Sequence, residues 1–560
     1  MPMIFASQTD IDHYTARGDW GSETFLDLFK KNAAEKPDVI ALIDPPNKMD
    51  LVGYPEERIT YSELTQRVDA LATALIEQHQ VKKDDIIVVQ LPNTMELIIT
   101  YMAITRAGAV FAPMPVQWRN SELEYIAGLT EAKIMITVER FGRFDHVAMV
   151  QKCQPNLPAL TQIITLDKIR DMTQGAANTD LLDRIPLDAN DTFTLCWSSG
   201  TESHPKGCPM SHNNWFMQGK IMHNAVIGES HDQETILCCA PIVNMTGVGI
   251  GLILWLLSSG TLLMHHPLDV EMCIKQVSDE KATRTIFVPT VLNMILKHPQ
   301  SDQFDLSSLK RVMTGSAPPS VWALQEFKRR WDIDICCGWG QTEGTALMVG
   351  VDDIEDMEKR SRFYPNYGDK SQEWLIKNVD TKIVDNNTGE SLTEIGQVGQ
   401  LAYKGPNVFP GYFKREDINA ESFDDEGFFY TGDLFKIEDE GYISFFDRCK
   451  DIIIRGGNNI SAQEIENLLQ GHEKVMDVAA VGMPDEVLGE RTCVYVVPKD
   501  PDNMPKLEEL TAFMKEIGTA VYKLPERVER AEAIPRNPVG KILKPQLRKE
   551  IAATLAAEKA

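Results

Sequence analysis

The chain of 560 residues is longer than one hydrophobic core ordinarily supports, so its length predicts at least two domains. Its formal net charge of −26, from 56 basic and 82 acidic residues, argues against a general nucleic-acid binder, although a local pocket could still hold an anion. The ten cysteines include no Cys-x-x-Cys spacing, which argues against a zinc site or a redox dithiol and favours reduced thiols in a reducing compartment.

The apolar segments argue against export and membrane insertion. Residues 1–10 lack the basic region and the long apolar core of a signal peptide. The longest apolar run, residues 248–257, is far shorter than the ~20 residues that a membrane-spanning helix needs. These features predict a cytoplasmic protein without a membrane span, and they leave open whether it forms a homodimer.

Short apolar strands alternate with amphipathic helices through most of the chain. Residues 86–91 predict a strand, and residues 94–107 predict a helix that packs Met95, Ile98 and Tyr101 to one side. Further strands are predicted at residues 133–138, 193–197, 236–240, 261–265, 285–288 and 311–314. Such alternation is typical of an α/β fold, with parallel sheets covered by helices on both faces. Ligands of such folds bind at the carboxyl ends of the strands, where loops emerge.

A loop rich in glycine, serine and threonine follows the strand at residues 193–197. Its residues are Ser198-Ser199-Gly200-Thr201-Glu202-Ser203-His204-Pro205-Lys206-Gly207, and a helix is predicted from Asn213. Backbone N–H groups and hydroxyls of such a loop bind anions, and Lys206 adds a positive charge, so the natural ligand is a nucleoside triphosphate. The loop is not a Walker loop, because Gly207 and Cys208 follow the lysine. A polar surface loop is the plain alternative.

The sequence pattern changes at about Asp380. Alternating strands with turns occupy residues 397–404 and 441–446, and a charged segment follows at residues 447–451. A compact α+β pattern then predicts strands at residues 452–455, 475–481 and 493–497 and helices at residues 463–469 and 506–516. We place a domain boundary at Lys450. It separates a large N-terminal domain, residues 1–449, with parallel sheets and a β-rich subdomain, from a small α+β domain, residues 450–560.

Four further motifs follow the loop in a fixed order. They are Gly315-Ser316-Ala317-Pro318, Gly338-Trp339-Gly340-Gln341-Thr342-Glu343, Tyr430-Thr431-Gly432-Asp433 and Pro535-Arg536-Asn537-Pro538-Val539-Gly540-Lys541-Ile542-Leu543. Together with the loop they resemble the adenylate-forming superfamily, in its branch of AMP-dependent acyl- and aryl-CoA synthetases, from about Phe25 to Ile551. The resemblance implies a carboxylic acid, ATP, Mg²⁺ and coenzyme A as ligands, with no nucleic-acid partner.

The resemblance also implies which residues hold the nucleotide. Gly315, Ser316 and Ala317 leave room for an adenine ring, and Trp339 can stack against one. Asp433 resembles the family's ribose aspartate, because a ribose diol wants a carboxylate acceptor. The implied ATP-binding set is Ser198, Ser199, Gly200, Thr201, Lys206, Gly315, Ser316, Ala317, Gly338, Trp339, Gly340, Gln341, Thr342, Asp433 and Arg448. The plain alternatives are a turn residue for Asp433 and a core residue for Trp339.

The resemblance implies catalytic roles for four residues, Lys541, Thr201, Glu343 and Asn244. Glu343 is similar to the glutamate that holds Mg²⁺, a hard cation that prefers oxygen ligands, and Thr201 looks like a second contact to the metal and phosphate. Attack of a carboxylate on the α-phosphate brings two anions together, and a cation at the position of Lys541 offsets that repulsion. The plain alternative for Lys541 is a solvated lysine of the C-terminal tail.

The small domain of this family turns about a hinge between two half-reactions, and Lys450 stands at the hinge position. The turn withdraws Lys541 and brings in Gly456, Gly457 and Asn458, whose glycines let the thiol-bearing arm of coenzyme A pass close to the backbone. The plain alternatives are a β-turn at Gly456-Gly457 and a linker charge at Lys450.

The chain departs from the family pattern at the phosphate loop and at the acid pocket. Glu202 and Ser203 replace the usual Thr-Gly, which puts a negative charge beside the phosphate loop. Asn244 stands where many acyl-CoA synthetases carry a histidine near the substrate carboxylate, and asparagine donates a hydrogen bond but carries no charge. Asp447 stands where glycine is common in the family, and the Asp-Arg pair is itself a known variant.

The first hypothesis is an AMP-forming carboxylic acid–CoA ligase. Its acid pocket would be lined by residues 244–253 together with Gly315 and Gly338, and the apolar side chains favour a medium-chain, alicyclic or aromatic acid. A buried helix explains residues 244–253 equally well. The second hypothesis is an acid-adenylating enzyme with another acceptor, such as a carrier-protein pantetheine or a luciferase-like oxidative step. The third is a nucleotide-binding homologue with weakened chemistry, suggested by Glu202 and Asn244.

Overall fold

The computed structural model describes residues 3–198, 204–228, 233–372, 376–386, 388–456, 458–536 and 541–559. Its contacts divide the chain into two compact units. The first unit takes in Met1–Pro365, Glu373–Asp380 and Lys404–Phe429, and the second takes in Asn366–Gln372, Thr381–Tyr403 and Tyr430–Ala560. This division falls in the β-rich region, whereas the sequence places a boundary at Lys450. A boundary at Lys450 therefore stays a prediction.

The first unit contains two largely parallel sheets. The eight-stranded sheet has the order Ala346–Val349, Asp334–Gly340, Arg311–Gly315, Arg284–Ile286, Thr235–Cys238, Thr261–Met264, Ile40–Ile43 and Arg58–Thr60. The six-stranded sheet has the order Lys206–Ser211, Thr192–Ser198, Val110–Pro113, Ile86–Gln90, Ile134–Thr137 and Gln162–Thr165. Among the described residues of these two sheets, the antiparallel pairs involve the edge strands Ala346–Val349, Arg58–Thr60 and Lys206–Ser211. The predicted α/β architecture is confirmed.

Helices of the first unit surround these sheets. They are Gln8–Ala16, Phe25–Glu35, Lys48–Val52, Tyr61–Glu77, Met95–Arg106, Asn120–Thr130, His146–Cys153, Leu166–Met172, Thr179–Leu182, His212–Val226, Leu254–Ser258, Val270–Glu280, Pro289–Lys297, Val321–Trp331, Met357–Arg360 and Glu416–Ser422. A π-helix at Gly247–Ile253 and 3₁₀ turns at Gln154–Asn156 and Ser301–Gln303 accompany them, as do short strands at Arg140–Phe141, Phe144–Asp145 and Phe363–Pro365. In the described part of the chain, no helix combines the length and apolar content that crossing a membrane requires.

The helix Met95–Arg106 corrects one expectation. Every residue of this helix is buried, including those away from the side of Met95, Ile98 and Tyr101. A helix that is buried all round lies inside a core, and the ring of Tyr101 stacks on Phe111 of a neighbouring strand with 3.5 Å between centroids. Amphipathic periodicity is weak here because neighbours cover the helix on all sides.

The second unit contains two further sheets. One has neighbouring strands in the order Tyr442–Arg448, Phe429–Ile437, Val398–Lys404, Asp380–Val384 and Ser391–Leu392. The other has five strands, in the order Asn458–Ile460, Ile453–Arg455, Gly489–Pro498 and Val475–Asp485, with Arg527–Arg530 parallel to Gly489–Pro498. Its helices are Ala462–Leu469, Leu507–Glu516 and Lys544–Lys559, and a 3₁₀ turn lies at Val521–Lys523.

The strand Val475–Asp485 presents side chains to both faces of the five-stranded sheet, because successive residues of a strand point in opposite directions. Ala480 belongs to a buried cluster with the helix Ala462–Leu469. Val481 belongs to a separate buried cluster with the helix Lys544–Lys559. This sheet is therefore covered by helices on both faces.

Candidate active site

The predicted phosphate loop joins two antiparallel strands of the first unit. Ser198 ends one strand and lies opposite Lys206, which begins the next. The Ser198 hydroxyl oxygen is buried and has no hydrogen-bond partner among the described residues. The predicted residues Ser199, Gly200 and Thr201 lie outside the described residues, as do Glu202 and Ser203.

The segment after the loop differs from the expectation. The helix expected from Asn213 begins at His212, but the strand Lys206–Ser211 precedes it. Ser211 caps the helix and forms a capping box with Asn214. The phosphate loop is therefore part of a β-hairpin and does not open directly into a helix.

Tyr412 joins Lys206 to Glu343. The Lys206 ammonium lies 4.2 Å from the centroid of the Tyr412 ring. The Tyr412 hydroxyl donates a hydrogen bond of 2.7 Å to the carboxylate of Glu343, which is 7% exposed. A cation over an aromatic face is attracted by the ring quadrupole, and a hydrogen bond to a carboxylate is stronger than a neutral one. A positive and a negative charge are thus held around one aromatic ring.

Backbone contacts fix this cluster. The Tyr412 N–H donates to Asn419 at 2.7 Å, and Asn419 donates back to the Tyr412 carbonyl at 3.0 Å. The N–H of Phe409 donates to the Glu343 carbonyl oxygen at 3.0 Å. The sequence analysis did not single out Tyr412. The available signal was its position after Pro410-Gly411, between a strand and a helix.

Gly315 and Gly338 are direct neighbours across two parallel strands. A Cβ atom at Gly315 would lie 2.8 Å from the Gly338 carbonyl oxygen, so a larger residue would not fit without a backbone shift. Ser316 follows with a φ of 74°, a left-handed conformation that is uncommon outside glycine and clusters at functional sites. Ser316 and Ala317 are exposed. These residues lie at the carboxyl end of a strand, as expected, and their contact with adenine stays a prediction.

The second motif lies partly inside a strand. Trp339 and Gly340, expected in a loop, belong to the strand Asp334–Gly340, and Trp339 is half-buried. Gln341 and Thr342 are half-buried in the turn that follows. The sequence pattern missed this because two glycines around Trp339 look like a turn, whereas pairing with an antiparallel neighbour extends the strand.

Asn407 fixes the turn that carries Glu343. Its side-chain amide donates to the Gly344 carbonyl oxygen at 2.6 Å and to Gln218 at 3.2 Å. Asn407 is fully buried. The segment at residues 405–413 therefore supports Glu343 through both Asn407 and Tyr412.

Asn244 begins the buried segment that the sequence assigns to the acid pocket. Its side-chain oxygen accepts from the Gly247 N–H at 3.1 Å, and its carbonyl accepts from the Val248 N–H at 2.8 Å. Asn244 thus accepts two hydrogen bonds from the start of the π-helix Gly247–Ile253, which is buried along its whole length. The buried-helix interpretation is confirmed, and contact with the acid stays a prediction. π-helical turns are frequent at functional sites.

The second unit contains the predicted ribose contacts and the predicted hinge residue. Asp433 and Arg448 lie opposite each other on two antiparallel strands, and Asp433 is 8% exposed. The carbonyl oxygen of Lys450 accepts a hydrogen bond of 2.8 Å from Arg548, which also bonds Asp451 at 2.8 Å. The ribose contacts and the hinge stay predictions.

Gly456 lies in a hairpin between the strands Ile453–Arg455 and Asn458–Ile460. Its φ of 56° suits the tight turn, and its N–H donates to the Leu488 carbonyl oxygen at 2.8 Å. Gly457 lies outside the described residues. The described part of this segment is consistent with the β-turn alternative at Gly456, and contact with coenzyme A stays a prediction.

Lys541 is half-buried at the end of a loop. Residues 537–540 of that loop lie outside the described residues. Arg536 and Ile542 form an antiparallel bridge at its base, and the Leu543 N–H donates to the Pro535 carbonyl oxygen at 2.8 Å.

Glu343 offers the kind of ligand that Mg²⁺ takes. Within the described ranges, no group of three or more His, Cys, Asp and Glu residues comes together as a metal site. Mg²⁺ at nucleotide sites is usually held by one or two carboxylates together with substrate phosphates and water. A single carboxylate near Lys206 and the phosphate loop fits that pattern.

Two protein-family models match this chain. The model described as AMP-binding enzyme matches residues 29–413, and the model described as AMP-binding enzyme C-terminal domain matches residues 464–541. The chain belongs to the AMP-binding enzyme family. This AMP-binding enzyme is an ATP-dependent, adenylate-forming acid ligase, and the resemblance and fold class expected from its sequence are confirmed.

Individual relatives cover almost the full length of this AMP-binding enzyme. It is 32% identical over 557 residues to the medium-chain fatty-acid–CoA ligase of Escherichia coli (strain K12), covering 97% of this chain and 93% of that protein. It is 30% identical over 547 residues to the 2,3-dihydroxybenzoate-AMP ligase of Bacillus subtilis (strain 168), covering 97% and 96%. The anthranilate CoA ligase AuaEII in complex with anthranoyl-AMP has the same fold, with a TM-score of 0.82 at 20% identity, covering 96% of this chain and 98% of that chain.

Proposed function

We propose that this AMP-binding enzyme is an AMP-forming carboxylic acid–CoA ligase. In the first half-reaction an oxygen of the acid attacks the α-phosphate of ATP, the bond to pyrophosphate breaks, and acyl-adenylate forms. In the second the acyl group passes to the thiol of coenzyme A, which gives up its proton, and AMP leaves. The single observation that carries the proposal is the cluster of Lys206, Tyr412 and Glu343, because it combines a cation with a carboxylate near a phosphate loop.

The cluster suits the first half-reaction. The Lys206 ammonium attracts the triphosphate, and the buried Ser198 hydroxyl beside it supplies a hydrogen-bonding group. Glu343, together with Thr201 as proposed from the family motif, would hold Mg²⁺. The metal, when bound, neutralises charge on the phosphates. Tyr412 keeps Lys206 and Glu343 at a fixed spacing, so the site needs little reorganisation.

The acid is proposed to be medium-chain, alicyclic or aromatic. The apolar π-helix that follows Asn244 supports a carbon-skeleton acid, since its side chains offer no charge to a polar substituent. The name of the relative at 32% identity supports the medium-chain choice.

Lys541 is proposed to act in the first half-reaction and Lys450 to act as the pivot between the two. Lys541 would stabilise the crowded transition state as a point charge. Gly456, Gly457 and Asn458 are proposed to meet coenzyme A, while Asp433 and Arg448 are proposed to meet ribose or phosphate.

A second candidate differs only in the acceptor. The relative at 30% identity is named as an AMP ligase without coenzyme A in its name, and its identity to this chain is close to that of the CoA ligase. This favours an enzyme that passes the acyl group to the pantetheine of a carrier protein as the alternative.

The replacement Lys541→Ala tests the mechanism. We expect it to abolish pyrophosphate release from ATP and acid, and to leave thioester formation from supplied acyl-adenylate and coenzyme A largely intact. Lys549→Ala, which removes an exposed lysine of the last helix, is the matched control and should change neither step. Equal loss of both steps in Lys541→Ala would contradict its assigned role.

A panel of acids tests substrate and acceptor. The enzyme is incubated with ATP, Mg²⁺, coenzyme A and short-chain, medium-chain, aromatic and alicyclic acids, and mass spectrometry reads AMP and acyl-CoA together. Acyl-CoA from a medium-chain, aromatic or alicyclic acid supports the proposal. Acyl-adenylate without acyl-CoA, followed by acylation of a holo-carrier protein, would replace it with the second candidate.

A further inference from the structure

The loop that carries Lys541 is closed at its base and tied to the five-stranded sheet. Arg536 forms a backbone bridge with Ile542, which brings the two stems of the loop together. The Arg536 guanidinium also bonds the carboxylate of Asp477 at 2.9 Å. Asp477 belongs to the strand Val475–Asp485, so the first stem is anchored on this strand.

The second stem is anchored by a buried ion pair to the helix Ala462–Leu469, which is itself bonded to the same strand. Lys544 begins the last helix, three residues after Lys541. Its ammonium lies 2.9 Å from Glu466 Oε1, and the two side chains are 7% and 6% exposed. The same oxygen of Glu466 accepts the Ala480 N–H at 2.8 Å, and Ala480 lies on the strand Val475–Asp485.

Burial of Lys544 at the start of a helix is energetically unfavourable by itself. The first turn of a helix carries the positive end of the helix dipole, which disfavours a cation there. Burial of an ammonium adds a further cost that an ordinary surface lysine avoids. The carboxylate of Glu466 offsets both effects. Apolar side chains at both positions 466 and 544 would avoid these costs, so packing alone does not account for the pair.

We propose that Glu466 and Lys544 are a positioning pair for Lys541. By fixing the second stem of the loop to the sheet, the pair holds the Lys541 ammonium in the place where the carboxylate meets the α-phosphate. The inference rests on the role proposed above for Lys541. The Glu466–Lys544 pair should therefore be needed for acyl-adenylate formation and not for thioester formation, because only the first step uses Lys541.

Two variants of the full-length enzyme break the pair in different ways. Lys544→Met removes the charge and shortens the unbranched side chain by one atom. Glu466→Gln keeps an oxygen that can accept from Ala480 and removes only the negative charge, so it is the milder change for the fold. Lys541→Ala and Lys549→Met are measured beside them, the latter as a control on an exposed lysine of the same helix.

Both half-reactions are measured for each variant, as pyrophosphate release from ATP and acid and as AMP release from supplied acyl-adenylate and coenzyme A. We expect Lys544→Met and Glu466→Gln to lower kcat of the first step about tenfold to hundredfold, because small misplacements of a catalytic group cost that much. The KM for ATP and the whole second step should stay unchanged, as should both steps in Lys549→Met.

Equal loss in both half-reactions would overturn the inference, because the pair would then serve the fold of the small domain as a whole. Undiminished pyrophosphate release in both variants, beside an inactive Lys541→Ala, would also overturn it and leave the proposed function intact. Undiminished pyrophosphate release in Lys541→Ala would overturn the proposed role of Lys541, and this inference with it.

Discussion

The ring of Tyr412 contacts residues that lie far from it along the chain. Tyr412 and Glu343 are 69 positions apart, and Lys206 begins an edge strand of the six-stranded sheet. The hydroxyl and the ring face serve different partners, so they can be tested separately. The hydroxyl holds the carboxylate, whereas the face attracts the ammonium.

Tyr412→Phe should raise the Mg²⁺ concentration that the enzyme needs for pyrophosphate release. The variant keeps the ring under Lys206 and removes the hydrogen bond to Glu343. A lost hydrogen bond to a charged group costs about 1.5–3 kcal/mol, which corresponds to a rise of about tenfold to 150-fold in the Mg²⁺ concentration at half-maximal pyrophosphate release. Calorimetric binding of Mg²⁺ with ATP should show the same shift without turnover.

Tyr61→Phe is the matched control for this prediction. The Tyr61 hydroxyl donates to the Gly260 carbonyl oxygen at 2.9 Å and is fully buried, so this variant also loses a buried hydrogen bond. Its Mg²⁺ dependence should equal that of the unmodified enzyme. A similar shift in both variants would mean that the effect reflects general loosening of the fold.

At the scale of elements, the buried parallel strands are predicted well by the sequence. Residues 133–138 predict a strand, and the structure has Ile134–Thr137, because a short apolar run between turn residues suits a buried strand. The strand Lys206–Ser211 was missed. It contains Gly207 and Pro209, which disfavour central strands and are tolerated at the sheet edge where this strand lies.

The π-helix Gly247–Ile253 allows a test with two glycines of one element. A Cβ atom on Gly247 would lie 1.9 Å from the Pro241 carbonyl oxygen, which cannot move without a backbone shift. A Cβ atom on Gly249 would lie 2.4 Å from the end of the Met222 side chain, which is flexible.

We expect Gly247→Ala to lower the free energy of unfolding by more than about 3 kcal/mol and Gly249→Ala by about 1 kcal/mol. Urea denaturation of the two variants under the same conditions measures the difference. Equal losses would contradict the packing described for Gly247.

At the scale of the whole molecule, buried histidines make stability depend on pH. Burial lowers the pKa of His146 to about 4, of His212 to about 3 and of His266 to about 4. The unfolded chain keeps histidine pKa values near 6.5, so below that pH it binds more protons than the folded chain. The free energy of unfolding therefore falls as pH drops from 6.5 towards 4.

The expected loss between pH 7 and pH 5 is about 2 kcal/mol for each histidine, at ~1.4 kcal/mol per pH unit. Burial raises the pKa of Asp44 to about 6, and this group offsets part of the loss because the folded state takes up its proton first. Urea denaturation at both pH values measures the slope. His212→Gln retains an acceptor for the Phe25 N–H and should make the slope shallower. An unchanged slope in that variant would contradict the prediction.

The sequence by itself determined the family, the α/β class and most parallel strands, because motifs and apolar runs are local patterns that survive without knowledge of their neighbours. It also placed Gly315 where a strand ends. Only the tertiary structure decided that Trp339 lies within a strand and that the helix Met95–Arg106 is covered on all sides.

The same holds for the groups that support the site. The contacts of Tyr412 with Glu343, and of Lys544 with Glu466, join segments that no local pattern connects. Hydrogen bonds and ion pairs of this kind depend on distances of about 3 Å between side chains, and such distances are set by how helices and sheets pack. Sequence motifs therefore identify the residues expected to do chemistry, whereas packing decides which neighbours hold them in place.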